Sequence, residues 1–296
     1  MSALKARWAS ARNAFDACFD GCVDGRIYGA LRIGFALLFL LRSADFTRPW
    51  LLLDHYEWVD GFDFSWSIEQ GPYLVSPLIP GLVLSARATW LAVRARFALG
   101  LLLLLGIRLR WTAVALTLLS YALLFADRYR YFHHLHVLYL GIAWLALSPA
   151  RPGEGVDRRP AWQLQVLRSA VLGIYLASGS AKLGADWWSG DSLAVLAHLH
   201  QVSGKVWTMS LRGFGYGGLA KLVCLTELSL VLLLCQRATR RWGVVLGLIF
   251  HCLVSCVLPV STFGATMALL LASFWPTRVR SARAESQPTG LLMPHQ

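Results

Sequence analysis

A lysine stands at the end of a long apolar run, in the stretch Tyr175-Leu-Ala-Ser-Gly-Ser-Ala-Lys182-Leu-Gly-Ala-Asp186-Trp187-Trp188. Ionisable side chains at membrane depth are costly to desolvate and are functional-site candidates by default. Withdrawal of water favours the neutral form of an amine, and a neutral amine is a usable general base. The chain has only four lysines against twenty-four arginines, so its other positive charge is supplied almost wholly by arginine. The competing reading is that Lys182 snorkels to the interface, as long basic side chains readily do. Arg168, Tyr175 and Lys182 recur every seven residues, nearly two helical turns, and therefore share one helix face. That face is expected to point into a bundle, because arginine is expensive against lipid. At 1.5 Å per residue, Arg168 and Lys182 lie about 21 Å apart, too far to serve one small pocket.

Other polar groups fall inside apolar runs. Arg32 and Arg168 sit at similar depths, and Glu227 lies nearer the middle, where it is expected to pair with one of them in a structural charge network. His251 reads either as a core histidine bonded across helices or as a site residue. His133, His134 and His136 form a cluster after Asp127. His134 and His136 project about 200° apart on a helix, and His133 and His134 about 100°, so they do not make a metal site. No HExxH pattern occurs and no metal is expected. Of the six cysteines, Cys18/Cys22 and Cys252/Cys256 have helical i,i+4 spacing that matches no zinc pattern. All six are expected to be reduced, buried and apolar.

The elements that must position these groups are membrane helices. The chain of 296 residues is 56% hydrophobic and 15% charged, well below the charge of a soluble domain. The expected fold is all-α: a polytopic transmembrane bundle of about eight spans, with a range of seven to nine. They fall near 27–46, 82–106, 109–126, 131–149, 162–183, 215–235, 242–258 and 260–276. Arg94 and Arg96 interrupt the second, and Pro259 splits the last two. The formal net charge of +12 reads as topology rather than nucleic-acid binding, because basic residues cluster at the ends of apolar runs. With eight spans most of these clusters fall on one side, which places both termini in the cytoplasm of a multi-pass cell-membrane protein. The acidic, aromatic-rich loop after span one then falls outside, as an interfacial belt or lid. Lys182 and the histidine cluster share the outer end of the bundle. Residues 1–25 are expected to be a cytoplasmic amphipathic segment with no cleavable signal, 26–276 the membrane domain, and 277–296 a disordered tail.

At this point the chain resembles a known family. Gly179-Ser-Ala-Lys182-Leu-Gly-Ala-Asp186-Trp187 resembles the Gly-x-x-Lys-Leu-x-x-Asp-Trp segment of vitamin K-dependent gamma-glutamyl carboxylase and of the wider horizontally transferred transmembrane (HTTM) domain family. Trp162 and Val166-Leu-Arg168, Asp127 followed by His133-His134, Leu31-Arg32, and Phe250-His251-Cys252 fit the same pattern in order, from about residue 25 to 276. The resemblance implies that Lys182 is the base toward a reduced quinone of the vitamin K or menaquinol type. It implies that His134, with His133, hydrogen-bonds the oxygen that develops charge. Arg168, Tyr175, His251, Asp186 and Trp187 then bind the quinol, and Arg32, Glu227 and Asp127 hold the surrounding structure.

The chain departs from the carboxylase at His133, where the carboxylase has Asn, and at Ala181, where it has a second lysine. Apolar Leu253 and Val254 replace a family polar residue, with Ser255 one step on. The large extramembrane domain that binds carboxylase substrates has no counterpart in the sequence. Fold similarity alone does not carry an activity across. The implied function is a quinol-dependent, carboxylase- or epoxidase-like lyase acting on a small or peptide substrate. Its partners are the bilayer and a lipid-soluble quinol, with no nucleic acid. The alternative is a non-catalytic membrane component for maturation or export of a secreted peptide. A channel lined by Arg32, Arg168 and Glu227 is disfavoured, since no inverted repeat is visible.

Overall fold

The computed structural model describes residues 22–44, 74–75, 83–84, 86–125, 133–148, 158–199, 202, 204–257 and 262–275. In chain order the elements are β1 (Cys22–Asp24), α1 (Arg26–Ala44), β2 (Leu74–Val75), β3 (Val83–Leu84), α2 (Ala86–Leu105), α3 (Leu109–Leu124), α4 (His133–Leu145), β4 (Arg158–Pro160), α5 (Trp162–Ala181), α6 (Ala185–Ser189), α7 (Asp191–Leu199), α8 (Lys205–Cys235), α9 (Arg240–Val257) and α10 (Phe263–Ala272). The fold is all-α, with two small antiparallel strand pairs: β1 with β4, and β2 with β3.

Eight helices occupy the places of the eight expected spans. Two of them, α8 and α9, are long and apolar enough to cross a membrane by length and composition. With 13 and 10 residues, α4 and α10 measure about 20 and 15 Å, short of a core about 30 Å thick. The number of crossings is therefore not fixed by these helices alone. The outside of the bundle is as apolar as its inside: Leu91, Leu118, Leu232 and Trp111 are 68%, 65%, 66% and 76% exposed. A surface of this kind suits lipid and not water.

The core gathers on α1. Tyr28, Leu31, Phe35 and Phe39 lie three or four residues apart, one stripe of a helix, and all are buried. Beside them pack Leu103, Leu116, Leu138, Ile142, Leu145, Leu164 and Leu167. Lipid gives helices little hydrophobic reason to associate, so close packing over small residues must supply it. Gly141 of α4 does so for the Phe35 ring, and Gly179 of α5 for Leu228 of α8; a Cβ at Gly179 would lie 2.8 Å from the leucine methyl. The short α10 sits centrally, packing on α1, α4, α5 and α9.

Three helix ends are closed by arginine. Arg32 donates to the carbonyls of Leu103 (3.0 Å) and Leu104 (2.5 Å) at the end of α2. Arg168 donates through Nε (2.8 Å) and Nη2 (2.5 Å) to the Ser273 carbonyl that follows α10. Arg240 donates from Nε to the Leu234 carbonyl at the end of α8 (3.1 Å). Terminal carbonyls have no intrahelical donor, and a cation there also meets the negative end of the helix dipole.

α8 contains a break at Gly215, where φ 64° and ψ 175° are not helical. The expected span 215–235 is the segment that follows this break. α6 and α7 were not anticipated. They are joined at Gly190, whose φ of 96° favours glycine. Gly217 of α8 lies beneath this joint, and a Cβ there would come within 2.9 Å of the Ser189 carbonyl oxygen. Residues 1–21 of the expected amphipathic segment, most of the aromatic loop, Asp127 and the tail 277–296 lie outside the described residues; Cys22–Asp24 is strand. Among the described cysteines, Cys224 is buried as expected, but Cys235, Cys252 and Cys256 are free thiols on the exposed side of their helices. Apolar cysteine is tolerated there because that surface is itself apolar.

Candidate functional site

Lys182 is the C-cap of α5. Its side chain does not run outward to an interface. It turns back one helical turn, and Nζ donates to Ser178 Oγ (2.5 Å) and to the Ser178 carbonyl (3.2 Å). Helical side chains lean toward the N-terminus of their helix, which makes this path the natural one. There Nζ meets Glu227 Oε2 of α8 at 2.7 Å. The two side chains are 17% and 10% exposed, so the pair is largely removed from water and its mutual attraction is strong. The snorkelling alternative is not what the chain does.

The position of Glu227 corrects the expected charge network. Neither Arg32 nor Arg168 reaches it, since both are committed to helix-end carbonyls. Counting depth from span ends misjudged the register of α5 against α8. Gly179 lies against Leu228 and Glu227, which brings the carboxylate level with the returning amine. Cys224, one turn away on α8, directs its thiol to the Gly179 carbonyl at 3.5 Å.

α6 closes one side of the pair. Trp187 donates from Nε1 to the Ala220 carbonyl of α8 (2.8 Å), and this bond sets its ring 5.3 Å from Lys182 Nζ. That distance suits a cation–π contact. Trp188 stands over Lys221 at 5.7 Å. Asp186, in the first turn of α6, is exposed; among the described residues its carboxylate makes no ion pair.

Two turns before Lys182, the Tyr175 hydroxyl hydrogen-bonds His251 Nε2 of α9 at 2.8 Å. Both residues are buried, at 2% and 3% exposure. The His251 ring also meets Phe263 edge-on (5.5 Å) and its neighbour Phe250 (5.1 Å). Its other nitrogen, Nδ1, is buried and has no partner among the described residues, and an unsatisfied buried polar atom needs an explanation. Glu227 is close enough to act electrostatically on both Tyr175 and Cys224. The seam of α5, α8 and α9 thus holds an amine, a carboxylate, a thiol, a phenol and an imidazole. Ser255, which follows the Phe-His-Cys motif, turns its hydroxyl back onto the His251 carbonyl (2.8 Å) and does not extend this set.

Of the expected site residues, Lys182 meets Trp187, and Tyr175 meets His251. Arg168 stands apart, bonded to Ser273 and 5.7 Å from the Phe274 ring. His133 and His134 form the first turn of α4; their side chains lie outside the described residues. α4 and α5 are in contact, and Trp144 near the end of α4 donates from Nε1 to the Gln163 carbonyl at the start of α5 (2.5 Å). His136 is engaged elsewhere, with Nδ1 3.0 Å from the Tyr121 hydroxyl. Among the described residues there is no metal-ligand cluster. Sequence reasoning missed Ser178 and Cys224, and it gave Glu227 the wrong partner. One signal for Glu227 was present: it is the only acidic residue between Asp191 and Glu285.

No curated protein and no solved structure matches the chain. The model of the HTTM domain matches residues 23–278. That span runs from β1 through α10 and includes every group of the α5–α8–α9 seam. The chain therefore belongs to the HTTM domain family and is a membrane-associated protein.

Proposed function

We propose that the seam of α5, α8 and α9 is the base centre of a quinol-dependent enzyme of the carboxylase or epoxidase type. The observation that carries this reading is the Lys182 amine, drawn into the bundle and held 2.7 Å from Glu227. In this reading Lys182 Nζ accepts the proton of a phenol at the bundle rim, and the Glu227 carboxylate faces the ammonium that results. Ser178 fixes the direction of Nζ, and Trp187 covers it from one side.

The residues present fit a reduced quinone. Amine, phenol and imidazole groups suit its hydroxyls, and Phe250, Phe263 and Trp187 suit its flat ring. His251 Nδ1, buried and without a partner among the described residues, is available to a hydroxyl group in the seam. When bound, a reduced quinone supplies an acidic phenol and the reducing power for a reaction with oxygen. Tyr175 holds His251 by Nε2 and so fixes which way Nδ1 points. Withdrawal from water protects a strong base from being quenched. In the same reading the eight long and short helices make eight crossings of the cell membrane, with both termini cytoplasmic and Lys182 near the outer face.

The test is mass spectrometry of reduced menaquinone and phylloquinone incubated aerobically with the protein in lipid nanodiscs. Quinone epoxide is expected from the wild type and at most trace amounts from Lys182→Ala, with Glu227→Gln slower but active. A folded wild type that yields no epoxide from either quinol would overturn the enzymatic reading. It would favour a non-catalytic component in maturation or export of a secreted peptide.

A further inference from the structure

Arg96 lies eleventh of the twenty residues of α2, about 15 Å from either end of the helix. It is 9% exposed. Its guanidinium lies 5.1 Å from the ring of Phe39 of α1 and 5.4 Å from that of Tyr139 of α4, two rings that are themselves 6.4 Å apart, and Nη2 donates to the Tyr139 hydroxyl at 2.8 Å. Arg32, Arg168 and Arg240 each have helix-end carbonyls. Among the described residues Arg96 has neither a carbonyl nor a carboxylate, and its Nε is buried without a partner.

The hydroxyl of Tyr139 is itself buried, on a side chain 3% exposed. Since it accepts from Arg96, its own hydrogen is left to donate, and among the described residues nothing accepts it. Two adjacent donors, Nε–H on the Arg96 cation and O–H on the Tyr139 phenol, therefore have no acceptor among the described residues. One turn beyond Phe39 on α1, the Ser43 hydroxyl is likewise buried and has no partner among the described residues. A buried charge in this state is costly unless an anion completes it.

We propose that Arg96 and Tyr139 form a carboxylate-binding site, separate from the Lys182 seam, that takes the head group of a long-chain fatty acid. A carboxylate accepts side-on from Nε and Nη2 of arginine and has lone pairs left for a hydroxyl. Depth selects the ligand. A phospholipid head group stays at the interface, whereas a carboxylic acid crosses hydrocarbon in its neutral form and ionises where a cation favours the anion. With the Phe39 and Tyr139 rings as its neighbours, the Nε edge of the guanidinium is the position left for a ligand among the described residues.

The test is binding of palmitate, labelled with carbon-13 at the carboxyl, to the delipidated full chain in nanodiscs of a zwitterionic lipid. Methyl palmitate and acetate serve as the other probes. The wild type is expected to bind palmitate saturably, with Arg96→Met weaker by about tenfold or more, the loss expected for a charge-assisted hydrogen bond. Tyr139→Phe, which removes one hydroxyl, is expected to be weaker by roughly three- to tenfold, and it decides the matter if Arg96→Met does not fold. Methyl palmitate is expected not to compete. Full displacement of palmitate by millimolar acetate would keep the carboxylate site and place its natural source in water. Equal binding of the methyl ester, or palmitate affinity unchanged in Tyr139→Phe, would overturn the proposal.

Discussion

Lys182 and Arg96 both carry positive charge into the apolar interior, one at the seam of α5 and α8, the other among α1, α2 and α4. At the first, a carboxylate at 2.7 Å, a serine hydroxyl and a carbonyl surround the ammonium. At the second, the Phe39 ring and the Tyr139 phenol stand beside the guanidinium, and among the described residues Nε has no acceptor. The difference teaches that burial of a cation has two distinct meanings in this molecule. Where the anion is built in, the charge is balanced within the protein. Where the described residues supply no anion, the proposed site takes one from outside.

The sharpest way to break this comparison is to remove the built-in anion. Glu227→Leu leaves Lys182 buried and unpaired, and the expected loss of stability is about 3 kcal/mol, the lower end for a broken buried pair because Lys182 is 17% exposed. Replacing both partners, as Lys182→Met with Glu227→Leu, is expected to restore most of the loss, since apolar side chains of similar volume often replace a buried pair without cost. Thermal unfolding in nanodiscs reads both, and a single variant as stable as the wild type would erase the contrast. A smaller effect is expected on the same seam from Tyr175→Phe. It strips His251 Nε2 of its partner for about 1–2 kcal/mol, visible as a lower unfolding midpoint. The smallest belongs to Arg96→Met. With no carboxylate to orphan, the ligand-free protein is expected to change by less than about 1 kcal/mol, or to gain stability. A loss as large as that of Glu227→Leu would show that Arg96 is as firmly compensated as Lys182.

Much of the scaffold was legible in the sequence because lipid imposes simple rules. The apolar runs placed eight helices, and the bounds of α1, α3 and α5 fall within a few residues of those expected. α6 and α7 were missed because their five and nine residues carry no long apolar run; tertiary contact at Gly190, Gly217 and Trp187 holds them. The face shared by Tyr175 and Lys182 was readable from seven-residue spacing, since it depends on one helix alone. The Lys182–Glu227 pair was not, because it depends on the stagger between two helices and on a side chain folding back one turn. The isolation of Arg96 was also hidden: sequence displays a charge but not what fails to approach it.

The strand pair near the start of the chain bears on how the protein is made. β1 pairs with β4, and next to it the Tyr28 hydroxyl bonds the Pro160 carbonyl, 132 residues later in the chain. At synthesis rates of about 5–20 residues per second, the first helix waits on the order of ten seconds for the residues that secure its end. During that interval α1, with its half-buried Arg32 and its aromatic stripe, has only α2, α3 and α4 for company. The contacts of α1 with α2 and α4 are therefore the first shelter that Arg32 and the Phe35 stripe find, and a nascent chain halted before Pro160 would hold that four-helix group with its N-terminal clasp still open.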